Sequence, residues 1–269
     1  MALTSVDFDK LIVDTMDLVT AYNISDGSLY FMLDQLKDGS IENGSETVYG
    51  TGKAGVRLSA LNRNKSAKAT VNNGYVVASA FAAQVGATIE DASAENKIAV
   101  PDVAFITLTD ATTATLPYAA SGTVGAEFPY IYKAREDKTQ GEKYAIAAAA
   151  SATEFKYTAG TKEITLPTGV FQVGDVVIVP YNREVTVGKK ITNKADQFSK
   201  TARVVIDCTC RDICDMSKVY HGVFVFPKAN LDGNFSMAFG SEPMAHSIAI
   251  EALQDVCSVN KELYSFYIA

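Results

Sequence analysis

Two histidines, His221 and His246, are the only imidazoles in the chain, so general-base catalysis of the commonest kind has to centre on one of them. Both fall in apolar, strand-like segments, His221 in VYHGVFVF and His246 in HSIAIEA. No nucleophile elbow accompanies them, and a histidine satisfied in or beside a sheet is the expected reading of each. Cys208, Cys210 and Cys214 together with His221 form a ligand set chemically adequate for zinc. The paired two-residue spacing of zinc sites is missing, however. Cys208 and Cys210 instead continue the apolar alternation of Val204 and Ile206, where a free thiol acts as a small hydrophobe. The carboxylate pairs Asp14/Asp17 and Glu136/Asp137 have nothing nearby in sequence to drive their pKa values apart, and they read as solvated charge. Gly50 and Gly52 imitate part of a dinucleotide fingerprint without the strand-to-helix context that gives it meaning. The expectation is a non-enzymatic chain with no catalytic residue, no cofactor and no metal.

The whole composition agrees with a packed protein that does not grip nucleic acid. Hydrophobic residues make up 48% and charged residues 20% of 269 positions, enough to bury a large core. The formal net charge of −7 opposes the counterion release on which phosphate binding runs. Thirteen Tyr and thirteen Phe are spread through strand-like runs rather than interleaved with Arg and Lys, which disfavours a single-strand stacking platform. Met1 to Lys10 carries Asp7 and Asp9 and lacks a basic start or apolar stretch, so no secretory signal, no membrane span and a cytosol-like site of synthesis with reduced thiols are expected.

Four tracts position these residues. In the first, Leu18 to Ile24 and Leu29 to Leu36 read as strands around the turn cluster Ser25-Asp26-Gly27-Ser28, while Ser5 to Asp17 can begin as a short amphipathic helix. The second, Lys37 to Ser66, is rich in Gly, Ser, Asn and charge, and reads as a long loop whose length is itself a functional hint. It leads into a strand at Ala67 to Val71 and a helix with Val77, Phe81 and Val85 on one face. Asn72 and Asn73 are expected to cap that helix and Gly86 to stop it. The third, Val100 to Val185, holds strands at Phe128 to Lys133, Glu154 to Tyr157, Glu163 to Leu166 and Val176 to Tyr181, with Ala147 to Ala150 as a loop or single turn. The fourth alternates from Arg203 to Arg211, continues as Val219 to Phe226 closed by Pro227, and resumes with Phe235, Met237 and Phe239. One-sided strands at His246 to Ala252 and Leu263 to Ile268 finish it.

The resulting fold class is mainly β, an antiparallel sandwich or open barrel with one short α-helix and an inserted small β domain. The domain limits expected are 1–99 for one half of the core, 100–185 for the insertion and 186–269 for the other half.

Two stretches, YGTGKAGVRLSALNRNKSAKATVNNGYVVASAFAAQVG at Tyr49 to Gly86 and SKVYHGVFVFPKANLDGNFSMAFGSEP at Ser217 to Pro243, resemble the major tail tube proteins of long-tailed, siphophage-like bacteriophages. The likeness covers about half the chain and rests on pattern. It implies a virion protein made in the host cytoplasm, in hexameric rings stacked into a tail tube whose subunits share an inner β-barrel. DNA passes through that barrel unbound during ejection, and tape-measure, tail terminator and tip proteins are the implied partners. Tyr49, Lys53, Arg57, Arg63 and Lys65 become the expected inter-ring contacts, because glycine flexibility and local positive charge coincide there in an acidic chain. The insertion is expected on the outer wall, where it leaves the bore open. The inner tube of a contractile injection or secretion machine shares this physics, and a ligand-binding β-sandwich is a third reading.

Overall fold

The computed structural model describes residues 10–235, 245–255 and 260–269. Strands hold 56% of the described residues and helix 4%, so the chain is mainly β, with one α-helix among the described residues. In chain order, the first elements are β1 (Leu11–Asn23), β2 (Leu29–Leu33), β3 (Leu36–Thr51), β4 (Arg57–Asn73) and α1 (Ala78–Gln84). Next come β5 (Ile89–Asp91), β6 (Ile98–Thr107), β7 (Thr113–Thr115), β8 (Tyr130–Ala134), β9 (Gln140–Ile146), β10 (Glu154–Thr158), β11 (Glu163–Thr165) and β12 (Val176–Val185). The last are β13 (Lys189–Ile191), β14 (Thr201–Asp212), β15 (Val219–Leu231), β16 (His246–Ala252) and β17 (Ser265–Ile268). The chain divides into two compact units, one of Met1–Ile89 with Ile191–Ala269 and one of Glu90–Lys190. The crossing strands β5 and β13 pair with each other.

The first unit is an eight-stranded sheet in the order β2-β1-β14-β15-β16-β4-β3, with β17 also on β15, and it curls into a half-barrel. The hairpin β1–β2 turns where its composition predicts. Asp26 Oδ1 accepts the Ser28 backbone N–H at 2.9 Å, Asn23 Oδ1 accepts that of Ser25 at 3.0 Å, and Gly27 takes a φ of +72°. β1 is a strand from Leu11 onward, which corrects the helical alternative for the described part of Ser5 to Asp17; residues 5–9 lie outside the described residues. Bulges fall between Val13 and Thr15 and between Met16 and Leu18, and each adds the local bend that a curled sheet needs.

β14 buries Val204, Ile206, Cys208 and Cys210 and turns the intervening residues outward. Its partner β15 does not close at Pro227. Ala202 faces Ala229 while Val204 faces Phe226, so Pro227 and Lys228 together oppose Arg203 in a bulge. There a residue without an N–H costs no ladder bond, and the strand runs on to Leu231. The core packs Val19, Phe31, Leu33, Val71, Val204, Phe226, Ile248 and Ile250 with Ala80 and Ala83 of α1. The strand expected over Phe235 to Phe239 lies outside the described residues from 236 onward.

α1 has seven residues, too few to propagate alone. It is held by burial of Ala80, Ala82, Ala83 and Gln84. Asn72 and Asn73 are strand residues, not its caps. Asn73 Oδ1 instead accepts the Gln35 backbone N–H at 3.2 Å, and its Nδ2 donates to the Tyr75 carbonyl at 2.7 Å, which ties off the strand ends. Gly86 does stop the helix. Its N–H donates to the Ala83 carbonyl, the Ala87 N–H donates to the Ala82 carbonyl, and φ is +70°, the Schellman arrangement.

The second unit is a seven-stranded sheet, β6-β12-β8-β9-β10-β11-β7, around Phe128, Ile131, Phe155, Ile164, Val177 and Val179. Phe128 stacks on Phe155 at 5.4 Å and tilts against Tyr157 at 5.0 Å. Strands β6, β7 and β9 escape a reading by hydrophobic runs, because β6 is interrupted by Pro101 and β9 by Gly141. The open edge of β6 is blunted. Pro101 has no N–H, and the Val103 N–H donates to Asp102 Oδ1, whose other oxygen accepts from Arg183 Nε at 2.9 Å.

Candidate assembly interface

Lys37 to Ser66 is not a loop. β3 and β4 form one long hairpin joined by a 3-10 turn at Lys53–Gly55. Their ladder runs from Leu36↔Asn73 to Thr51↔Arg57, bent by bulges between Leu36 and Asp38, Gly44 and Glu46, and Gly50 and Thr51. The turn is closed by the Gly55 N–H donating to Gly52 and the Gly52 N–H donating to Val56, with Gly55 at φ +76°. Strand β16 supports β4 only over Lys68–Asn73. Beyond Asn43 and the buried Ala67, among the described residues, the hairpin is a two-stranded arm whose side chains are mostly in solvent. A lone hairpin is marginal in water.

Three kinds of interaction brace the arm. Thr47 Oγ1 donates to Asn62 Oδ1 at 2.9 Å and Asn64 Nδ2 to Glu46 Oε2 at 2.8 Å. Val48 stands directly across from Leu61, an apolar cross-strand pair. The Arg57 guanidinium lies over the Tyr49 ring, 4.0 Å from its centroid.

The five residues singled out from sequence are dispersed along this arm. Tyr49 and Arg57 are brought together near the tip, and Lys53 occupies the turn itself. Arg63 lies across from Glu46, midway down. Lys65 is at the root, beside Asn43 and Asn64, where Asn43 Nδ2 donates to the Tyr264 hydroxyl at 3.0 Å. From Thr47 to Asn62 the only charges are Lys53 and Arg57, so the tip is cationic in an acidic chain. Residues that sequence reading passed over are the exposed apolar ones, Val48, Val56, Leu58 and Leu61, of which Leu58 is 73% exposed. Their signal is hidden because Leu58 is itself the extra residue of a bulge, with no residue across from it on β3, which shifts the alternation on β4.

The residues with catalytic potential are engaged elsewhere. His221, exposed, has its Nε2 3.2 Å from Asp207 Oδ1. His246 is 2% exposed, and its Nε2 meets Gln84 Oε1 at 2.7 Å, while Gln84 Nε2 donates to the carbonyls of Asp232 and Ser247. Burial holds the His246 pKa below its ordinary value. Its Nδ1 has no hydrogen-bond partner among the described residues. Cys208 and Cys210 are buried with sulfurs 4.0 Å apart. Burial first, then the neighbouring thiol, pushes the Cys208 pKa up to about 12. Cys214 is exposed. Among the described residues no group of three or more His, Cys, Asp or Glu side chains is placed to hold a metal ion, and no helix is long and apolar enough to cross a membrane.

Set against known proteins, residues 10–265 match the family described as the YomU/Tube protein family. No curated protein matches the chain.

Proposed function

The chain belongs to the YomU/Tube protein family, and from that membership we propose that it is the structural subunit of a long bacteriophage tail tube, polymerising as stacked hexameric rings. The observation that carries the assembly reading is the arm of β3 and β4, a bare two-stranded ladder with solvent-exposed apolar side chains and open edges. Such edges are an aggregation liability in a monomer and a joining device in a symmetric polymer. In this reading the arm makes the ring-to-ring contact, and Tyr49, Lys53, Arg57, Arg63 and Lys65 approach acidic surface of the next subunit. Strands of the curled sheet complete an inner barrel with those of sister subunits.

Six copies of −7 give −42 per ring, and acid facing the lumen lets duplex DNA slide without sticking. The protein's work is then low friction and self-assembly, not catalysis. Tape-measure and tail terminator or tip proteins are its partners at the tube ends, in the virion tail. The unit Glu90–Lys190 decorates the outer wall.

Replacing residues 44–66 by a two-residue Asn-Gly turn, which leaves Asn43 across from Ala67, tests the proposal. It removes the unsupported part of the arm and keeps the β4 segment that pairs with β16. The expected product is a folded monomer that forms neither rings nor tubes by negative-stain microscopy, while the intact chain forms them at high concentration. Normal tubes from the shortened chain overturn the assignment.

A further inference from the structure

The first unit's sheet is left open along one seam. β2 pairs with β1 only through Val19 to Tyr22, so the edge of β1 nearer Leu11 looks toward the root of β3, and no ladder joins β1 to β3. Met16 of β1 lies against the backbone of Gly39 there: a Cβ on Gly39 would stand 2.6 Å from Met16 Cε. Beside that contact lies a cleft of about 190 Å³ walled by Val13, Met16, Gly39, Ile41, Ile206 and Phe224. It is apolar and sized for a single aliphatic side chain. Val13 at its mouth is 51% exposed. Along the same seam stand Asp14, Asp38 and Lys37, and Asp14 is already bound to Arg211 Nε at 2.5 Å. Asp38 accepts from the Asn72 amide and makes no ion pair among the described residues.

The arm tip has the opposite properties. It is cationic through Lys53 and Arg57, and it presents Val56 at 58% and Leu58 at 73% exposure. We propose that the tip of one copy seats in the β1–β3 seam of the next copy, with Leu58 entering the cleft and Lys53 and Arg57 meeting Asp38 beside it. This rests on the tube reading and names the surface that receives the arm.

Geometry selects a second copy as the occupant. Gly39, at the seam, and Thr51, at the tip, belong to the same strand and are twelve residues apart, which at ~3.3 Å per residue is about 40 Å. A copy therefore cannot fill its own cleft. Tip and seam are different surfaces, so the contact is heterologous and hands on from copy to copy instead of ending in a closed pair. The offset between successive copies equals the arm's reach, about 40 Å.

Disulfide trapping tests this. In a background with both Cys214 and Cys257 replaced by serine, chains carrying Val13→Cys and chains carrying Leu58→Cys are mixed under mild oxidation. A linked pair is expected, a ladder of linked multimers is expected from the doubly substituted chain, and neither from either variant alone. Leu58→Asp is expected to raise the concentration needed for assembly roughly tenfold or more, the loss of one buried aliphatic group. Lys53→Glu with Arg57→Glu weakens assembly, and Asp38→Lys in a mixed partner restores it. Circular dichroism and melting of each variant confirm that it folds. Tubes that form without any cross-link overturn the seam assignment and leave the tube reading standing. An intact chain that neither cross-links nor assembles at high concentration overturns both.

Discussion

Arg57 lies over the Tyr49 ring at 4.0 Å, joining the two strands of the arm where β16 no longer supports them. An exposed cation–π contact is worth about 0.5–1 kcal/mol. Arg57→Ala should therefore leave the melting temperature of the whole chain unchanged while the arm opens more often. Amide exchange at Val48 and Ala60 is expected to quicken by about two- to fivefold. Arg57→Lys, which keeps the charge, should recover part of the protection.

Gly86 is required twice over. It takes φ +70°, and a Cβ there would stand 2.0 Å from the Phe198 carbonyl oxygen, a backbone atom with little freedom to retreat. Gly86→Ala should lower stability by at least about 2 kcal/mol, read from the urea midpoint. Gly27→Ala is the control: φ is +72°, but nothing lies within 4 Å. Only the backbone term remains there, about 1 kcal/mol.

His246 should make stability fall in mild acid. Its folded pKa lies below the ordinary 6.5 because burial disfavours the imidazolium. The folded state thus refuses a proton that the unfolded state accepts. The contribution is complete above pH 6.5 and is lost as pH falls from there toward the folded pKa, with a slope of at most about 1.4 kcal/mol per pH unit. Urea midpoints at about pH 7.5 and about pH 5.5 should differ less for His246→Gln than for the unaltered chain.

The three described thiols should divide by burial. Cys214 is expected to react with a thiol reagent in the folded protein, and Cys208 and Cys210 only after denaturation. Gly222 makes their room, since a Cβ on it would stand 2.7 and 2.8 Å from the two sulfurs. Gly222→Ala should cost about 1–3 kcal/mol by overpacking, and it should speed labelling of both.

Segments whose burial follows their own period were legible residue by residue. Val204, Ile206, Cys208 and Cys210 alternate inward on β14, His246, Ile248 and Ile250 do so on β16, and Asn23 to Ser28 form their turn from local chemistry. The arm was not legible, because Gly39, Gly44, Gly50, Gly52 and Gly55 among polar residues have the composition of a loop. Only the ladder from Leu36↔Asn73 through Thr51↔Arg57 makes strand residues of Gly39, Gly44 and Gly50, while Gly52 and Gly55 shape the turn.

Taken alone, the amino-acid order determined a mainly β chain with one short helix, an acidic balance and two strongly alternating strands, all properties of neighbours within a few positions. Tertiary structure decided which edges stay open and what stands beside them. β1 lies on β14, some 190 residues away, and Gly39 meets Met16 only because three bulged, curled strands return the sheet toward itself. The seam and the arm that fits it come from non-local pairing, for which hydrophobic period carries no signal, since period reports the face a residue turns inward and not the strand that will lie next to it.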